Sequence, residues 1–199
     1  MNKDKRFALL LNRLKSEDRK VSDGALFTLA DMGSAALDVL PALLLDLSDS
    51  DPSVRVIAAM TIGYIGKRDA TAATALIKAI EDEDSDVRGQ AAQSLAMIGC
   101  EEAFPILVNL LGDDVTEVRQ CAAEALGWPA YGNEDAIKPL TEALRDEDWI
   151  VRMFAAQSLG NTGIVIPDVL NPLIRALEDE NEDVAKTAYQ SLNKIFKRN

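Results

Sequence analysis

The sequence predicts an all-α chain, an α-solenoid of about six antiparallel helix pairs stacked in order. The first observation is a recurring motif: an acidic turn, Val-Arg, two small residues, a large apolar residue and Gly. It is clearest as DSDPSVRVIAAMTIGYIG from Asp49 to Gly66. It returns as DEDSDVRGQAAQSLAMIG (Asp82 to Gly99), DDVTEVRQCAAEALG (Asp113 to Gly127) and DEDWIVRMFAAQSLGNTG (Asp146 to Gly163). The second observation is its period. Val54, Val87, Val118 and Val151 stand at steps of 33, 31 and 33, with weaker copies at Val21 and Val184. A period in this range marks stacked supersecondary units that bury a continuous core. The third is composition: hydrophobic residues make up 48% and aromatics only 5%, so aliphatic side chains and alanine must do the packing.

The first helix of each repeat shows apolar residues at spacings of three and four, which form one face of a helix. These are Leu40, Leu43, Leu44 and Leu47; Ala73, Leu76, Ile77 and Ile80; Phe104, Leu107, Leu110 and Leu111; Ile137, Leu140 and Leu144; Val169, Leu170, Leu173 and Leu177. Counted from each Val, the seventh residue back is always Leu or Ile: Leu14, Leu47, Ile80, Leu111, Leu144 and Leu177. The second helix starts after an acidic turn. Asp18, Asp51, Asp84 and Asp148 stand three residues before their Val, where a carboxylate caps backbone N–H groups. Its buried stripe runs Val, +4 and +8: Val54, Ala58, Ile62; Val87, Ala91, Leu95; Val118, Ala122, Leu126; Val151, Ala155, Leu159. Alanine at +5 (Ala59, Ala92, Ala123, Ala156) is expected to let the next repeat stack closely. Gly33, Gly66, Gly99 and Gly163 are expected to end the helices in left-handed conformation.

The pattern resembles the HEAT repeat, in particular the short HEAT-like type associated with phycobilisome (bilin) lyases. The resemblance spans residues 1–199 as one domain, with repeats near 1–33, 34–66, 67–99, 100–132, 133–163 and 164–199. It implies a right-handed superhelix. It also implies a structural ladder of turn Asp and an Arg six residues later: Asp49 and Arg55, Asp82 and Arg88, Asp113 and Arg119, Asp146 and Arg152. Pro41, Pro105, Pro139 and Pro172 match the family's first-helix proline and are expected to bend those helices. Ser22 and Ala185 replace the Arg, and Ser16 the turn Asp, as expected of end repeats. In the fourth repeat GWPAYGNEDA replaces a simple turn, and Pro129 should stop or kink the second helix after Trp128.

The same residues narrow the chemistry. The chain has no histidine, which excludes His-based acid–base catalysis, Ser-His-Asp and Cys-His arrangements and His metal sites. Histidine-dependent deoxyhypusine hydroxylases are excluded with them. A net charge of −12 argues against nucleic acid and anionic membrane as partners, and against the DNA glycosylases built of such repeats. Cys100 and Cys121 are the only cysteines and form no CxxC pair, so neither a disulfide framework nor thiolate catalysis is expected. Acidic runs such as Glu81 to Asp84 lack the calcium-loop ligand order and its Gly. No cofactor or metal is expected. The N-terminal apolar cluster Leu9, Leu10, Leu11 and Leu14 is too short for a leader or a membrane span, and a cytoplasmic location is expected.

What remains is a surface. The family lines its concave face with second helices, and the direction opposite the buried stripe carries +2, +6 and +9. Phe27, Val56, Met60, Tyr64, Met97, Trp128 and Met153 are expected to form an apolar strip beside polar Gln93, Gln120, Glu124 and Gln157; the alternative for Tyr64, Met97 and Trp128 is packing between repeats. The near-uniformly small +9 column (Ala30, Gly63, Ala96, Gly127, Gly160, then Asn193) is expected to leave room for an approaching ligand. Trp149 is assigned to turn packing. The expected function is a non-enzymatic protein–protein scaffold or adaptor binding a protein along the concave face. The alternative that the resemblance implies is an accessory subunit of a bilin lyase or bilin-detaching factor.

Overall fold

The structure, a computed structural model, describes residues 3–99, 101–128 and 134–198. Its contacts divide the chain into two compact units, Met1–Cys100 and Glu101–Asn199. In the first unit α1 (Lys3–Leu14) pairs with α2 (Arg19–Met32). A 3-10 segment, Gly33–Val39, leads into α3 (Leu40–Asp46), which pairs with α4 (Pro52–Ile65), and α5 (Ala70–Ala79) pairs with α6 (Ser85–Ile98). In the second unit α7 (Ala103–Leu110) pairs with α8 (Thr116–Leu126). A 3-10 turn, Glu134–Ala136, precedes α9 (Ile137–Ala143), which pairs with α10 (Trp149–Thr162), and α11 (Pro167–Ala176) pairs with α12 (Glu182–Arg198). No strand occurs among the described residues. The result is the predicted all-α stack of helix pairs, an α-solenoid.

In α6, α8, α10 and α12 the Val, +4 and +8 stripe is buried: Val87, Ala91, Leu95 in α6 and Val151, Ala155, Leu159 in α10 are out of contact with solvent, whereas Val21 of α2 is exposed and Val54 of α4 half-buried. The +5 alanines are buried too. Ala123 on α8 packs with Val151 and Ala155 of α10 and with Leu144 and Phe154 beside them. The small side chain allows this, because a methyl group adds contact without separating the helices. The helix starts are fixed by carboxylates. Asp51 Oδ1 accepts from Ser53 N, Asp84 Oδ1 from Asp86 and Val87 N, and Asp148 Oδ1 from Ile150 and Val151 N. Asn181 does the same for Asp183 and Val184.

Three expectations about backbone breakers are corrected. Only Pro172 lies inside its helix. Pro41 stands in the opening turn of α3, and Pro105 and Pro139 in those of α7 and α9. N–H groups in a first turn have no intrahelical partner, so these three prolines start their helices without bending them. Gly33, Gly99 and Gly163 have φ of 50°, 70° and 68°, but Gly66 has φ −86° and Arg68 takes the positive φ of 60°. Gly66 is needed for space: a Cβ there would lie 2.5 Å from Ala72 Cβ and 2.8 Å from Ile62 O. Helix α8 ends at Leu126, ahead of Trp128; Pro129, Tyr131 and Cys100 lie outside the described residues.

The run Arg19–Asp46 is long and apolar enough to cross a membrane by length and composition. In the first unit it is divided into α2, the 3-10 segment and α3, and it buries Leu29, Val39 and Leu43.

Candidate functional site

The strongest polar feature joins consecutive repeats. Arg55 places Nε and Nη2 on the two carboxylate oxygens of Asp82 at 2.9 and 2.7 Å, while its Nη1 donates to the carbonyl of Asp49 at 2.9 Å. Arg119 repeats this with Asp146 at 2.9 and 3.1 Å and the Asp113 carbonyl, and Arg152 with Asp179 at 2.8 and 2.9 Å and the Asp146 carbonyl. The side chains therefore pair between repeats. The arginine meets only the backbone of its own turn, and its fork reaches the carboxylate of the following repeat, 27 residues on. Asp179, which the spacing of six residues does not single out, belongs to the ladder. The acids also shape the turns they stand in. Asp82, Asp146 and Asp179 each accept the N–H of the residue two positions ahead, which leads into the next helix. Arg88 Nη1 bonds the carbonyls of Asp82 and Glu83.

These forks are nearly buried and bidentate, the strong form of a charged hydrogen bond. Burial works against ionisation of Asp82 and Asp146, but the arginine fork and the turn N–H outweigh it and hold both below the usual carboxylate range. For Asp179 the Arg152 fork is the largest influence, with the same outcome. The same hydrogen bonds raise the pKa of Arg55, Arg119 and Arg152 against desolvation. Charges satisfied in this way hold repeats together and leave little for a ligand.

The residues expected to bind a partner divide by exposure. In the first unit Phe27 on α2 is 68% exposed and Tyr64 on α4 is 39% exposed, whereas Val56, Met60, Met97 and Gln93 are half-buried. In the second unit Trp128, just past α8, is 70% exposed. Glu124 and Gln157 are exposed, and Met153 and Gln120 are half-buried. Gln120 Nε2 is held by Asp148 Oδ1 at 3.0 Å, so it spans two repeats. Cys121 is half-buried on α8. Among the described residues no group of three or more acidic or cysteine side chains is placed to hold a metal ion.

The small +9 column is not open to a ligand. A Cβ on Gly63 would lie 2.8 Å from Ser94 Cβ and 2.9 Å from Ser94 Cα; one on Gly160 would lie 2.5 Å from Ser191 Cβ. What approaches the backbone is the +7 serine of the following second helix. A wheel drawn for one helix cannot show where its neighbour crosses, and this neighbour covers +9 as well as +5.

A cleft that sequence reasoning missed lies in the second unit, between first helices α9 and α11. It has a volume of about 490 Å³ and is lined by Ile137, Lys138, Thr141, Glu142, Arg145, Pro167, Asp168, Asn171, Pro172 and Arg175. Its signal in the sequence is one position. Ten residues before each Val stand Leu11, Leu44, Ile77, Val108, Thr141 and Ile174, so Thr141 puts a hydroxyl into an apolar column.

These helix pairs and the ladder define a repeat-scaffold protein. The family model for HEAT repeats matches residues 7–76, 40–127, 73–160 and 116–193. The chain belongs to the HEAT-repeat family. Among curated proteins, none matches the sequence. A chain of the CpcE–CpcF complex of phycocyanin lyase from Nostoc sp. PCC7120 is 28% identical with a TM-score of 0.65, over 95% of this chain and 76% of that one. An engineered protein is 25% identical with a TM-score of 0.64, over 99% and 98% of the two chains. YibA of Escherichia coli is 22% identical with a TM-score of 0.75, over 100% of this chain and 74% of its own.

Proposed function

We propose that this chain is a non-catalytic adaptor that binds a protein partner along the exposed sides of its second helices. The observation that carries the reading is the exposure of Phe27 and Trp128 in a chain with few aromatic residues. Large aromatic side chains left in solvent supply anchor area at low entropic cost, and they mark partner surfaces. With a net charge of −12, nucleic acid and anionic membrane are poor candidates, so the partner is a protein. Affinity capture from source-cell lysate with wild type, Phe27→Ala and Trp128→Ala tests this. A stoichiometric protein that either substitution weakens by about tenfold or more supports it; a partner retained undiminished by both refutes it.

A second reading has one observation in its favour, the 28% identity to a phycocyanin lyase chain over 95% of this one. On that reading the partner is a phycobiliprotein, and this chain acts as an accessory subunit in attaching or removing its bilin. Purified phycocyanin retained by the immobilised chain would favour it, and absence of retention would remove it.

A further inference from the structure

The main cleft between α9 and α11 contains no ladder residue and lies off the second-helix faces; the ladder acid Asp179 lines only its smaller neighbour. We propose that the main cleft binds a short acidic peptide segment of a partner protein, with Arg145 and Arg175 gripping a carboxylate side chain.

The argument starts from the two arginines. Both line the 490 Å³ cleft and the adjoining one of 150 Å³. Arg55, Arg119 and Arg152 each fork onto a carboxylate; Arg145 and Arg175 make no ion pair among the described residues, although Glu142 lines the same cleft. A guanidinium without a partner in a concave site is a ready bidentate donor for a carboxylate.

Thr141 is the second observation. It lines both clefts, and its Oγ1 is the one buried side-chain polar atom among the described residues without a hydrogen-bond partner. Other helical threonines return this bond to their own helix: Thr28 to Gly24 O, Thr61 to Ile57 O and Thr74 to Ala70 O. A buried polar group left without its hydrogen bond is costly, and an incoming carbonyl or carboxylate oxygen would remove that cost.

The remaining lining selects a peptide over a free anion. Lys138 lines the cleft from α9, and Asp168 and Asn171 line it from α11, so the lining offers both donors and acceptors besides the arginines. That suits backbone amides and carbonyls. The lined stretch 167–175 extends about 12 Å along α11 at about 1.5 Å per residue, and 137–145 runs the length of α9 and into the turn after it. An extended segment of about four residues has that length.

The test uses the full chain, labelled with ¹⁵N, and blocked tetraglutamate as the probe. Saturable shifts confined to α9, α11 and their turns are expected, with binding weakened by about tenfold or more in Arg145→Ala/Arg175→Ala and several-fold in Thr141→Val. Both arginines are exposed, and Thr141→Val keeps the side-chain shape, so an unchanged spectrum elsewhere verifies the fold. Tetralysine should give no saturable shift. Undiminished binding in the double variant, shifts spread over the surface, or no saturation overturns the proposal. Inorganic phosphate displacing the peptide at equal concentration would also overturn it, since the site would then be a simple anion site.

Discussion

Two junctions between second helices use the same repeat in different ways. Where α10 meets α12, Gly160 lies against Ser191 so closely that the backbones are nearly in contact, and α4 meets α6 through Gly63 and Ser94 in the same manner. Where α8 meets α10, side chains do the joining. Ser158 Oγ donates to Ala123 O at 2.9 Å, Asn161 Nδ2 to Gly127 O at 2.9 Å, and Gln120 to Asp148. Helix α8 has 11 residues against 14 in α10. Its missing last turn is replaced by the asparagine that reaches back from α10. Close packing tolerates no added atom, whereas hydrogen-bonded side chains can shift. Both junctions keep the arginine fork at their turn end, which makes the fork the shared element and the helix end the variable one.

The shared element should give the largest effect. Arg152→Ala removes the fork and leaves Asp179 half-buried without its cation, and stability should fall by roughly 3 kcal/mol, as for breaking a buried pair. Urea unfolding measures it, and a loss below about 1 kcal/mol would place the pair with ordinary surface bridges. The pH dependence has a defined sign. Asp82, Asp146 and Asp179 have folded pKa values below the unfolded value of about 3.9. Their contribution is fully present above the unfolded pKa and is lost as pH falls through the folded values. Unfolding free energy should therefore drop steeply below about pH 4, and Asp179→Asn should flatten that drop while lowering stability at neutral pH.

The helix ends should separate the two junctions. At Gly160 a new methyl group meets Ser191 Cα at 2.8 Å, and backbone must move. Gly160→Ala should cost about 2 kcal/mol, even though alanine favours helix by about 1 kcal/mol over glycine. At Gly127 the methyl group meets Ser158 Oγ at 2.8 Å and Asn161 Nδ2 at 3.2 Å, both on side chains, besides the carbonyl of Glu124 at 3.0 Å, so Gly127→Ala should cost less than Gly160→Ala. Equal losses in thermal melts would mean that the junctions are alike after all. Asn161→Ala should cost roughly 1 kcal/mol, because it removes the bond to Gly127 O and the acceptor of Lys194 Nζ.

The legible part of the fold was whatever one helix and its own turn determine. Periodic apolar residues, Asp caps and the buried stripe depend on spacings of three, four and eight. Relations between repeats were not legible. A partner 6 residues away and one 27 residues away recur with the same period, so Asp49 and Arg55 fit the pattern as well as Arg55 and Asp82 do. The Gly63 and Gly160 column looked open because a single-helix wheel carries no neighbour. The cleft stayed hidden because it is the space between α9 and α11; only Thr141, standing where Leu, Ile or Val occurs in the other repeats, pointed there.

Trp128 sharpens the comparison from the other side, because it should matter least to stability. It follows the shortened helix α8 at the side-chain-stitched junction, and 70% of it is in solvent. Removing it exposes little core, so Trp128→Ala should change unfolding free energy by no more than about 0.5 kcal/mol, the range of ordinary surface substitutions. Buried at a partner interface, the same ring would count as an anchor, and its loss should weaken binding by about 2 kcal/mol, roughly 30-fold. The two measurements together decide its role. A large stability loss with unchanged binding would make the indole a brace for the short helix; unchanged stability with weakened binding would mean that the turn which interrupts the repeat carries a contact the regular repeats lack.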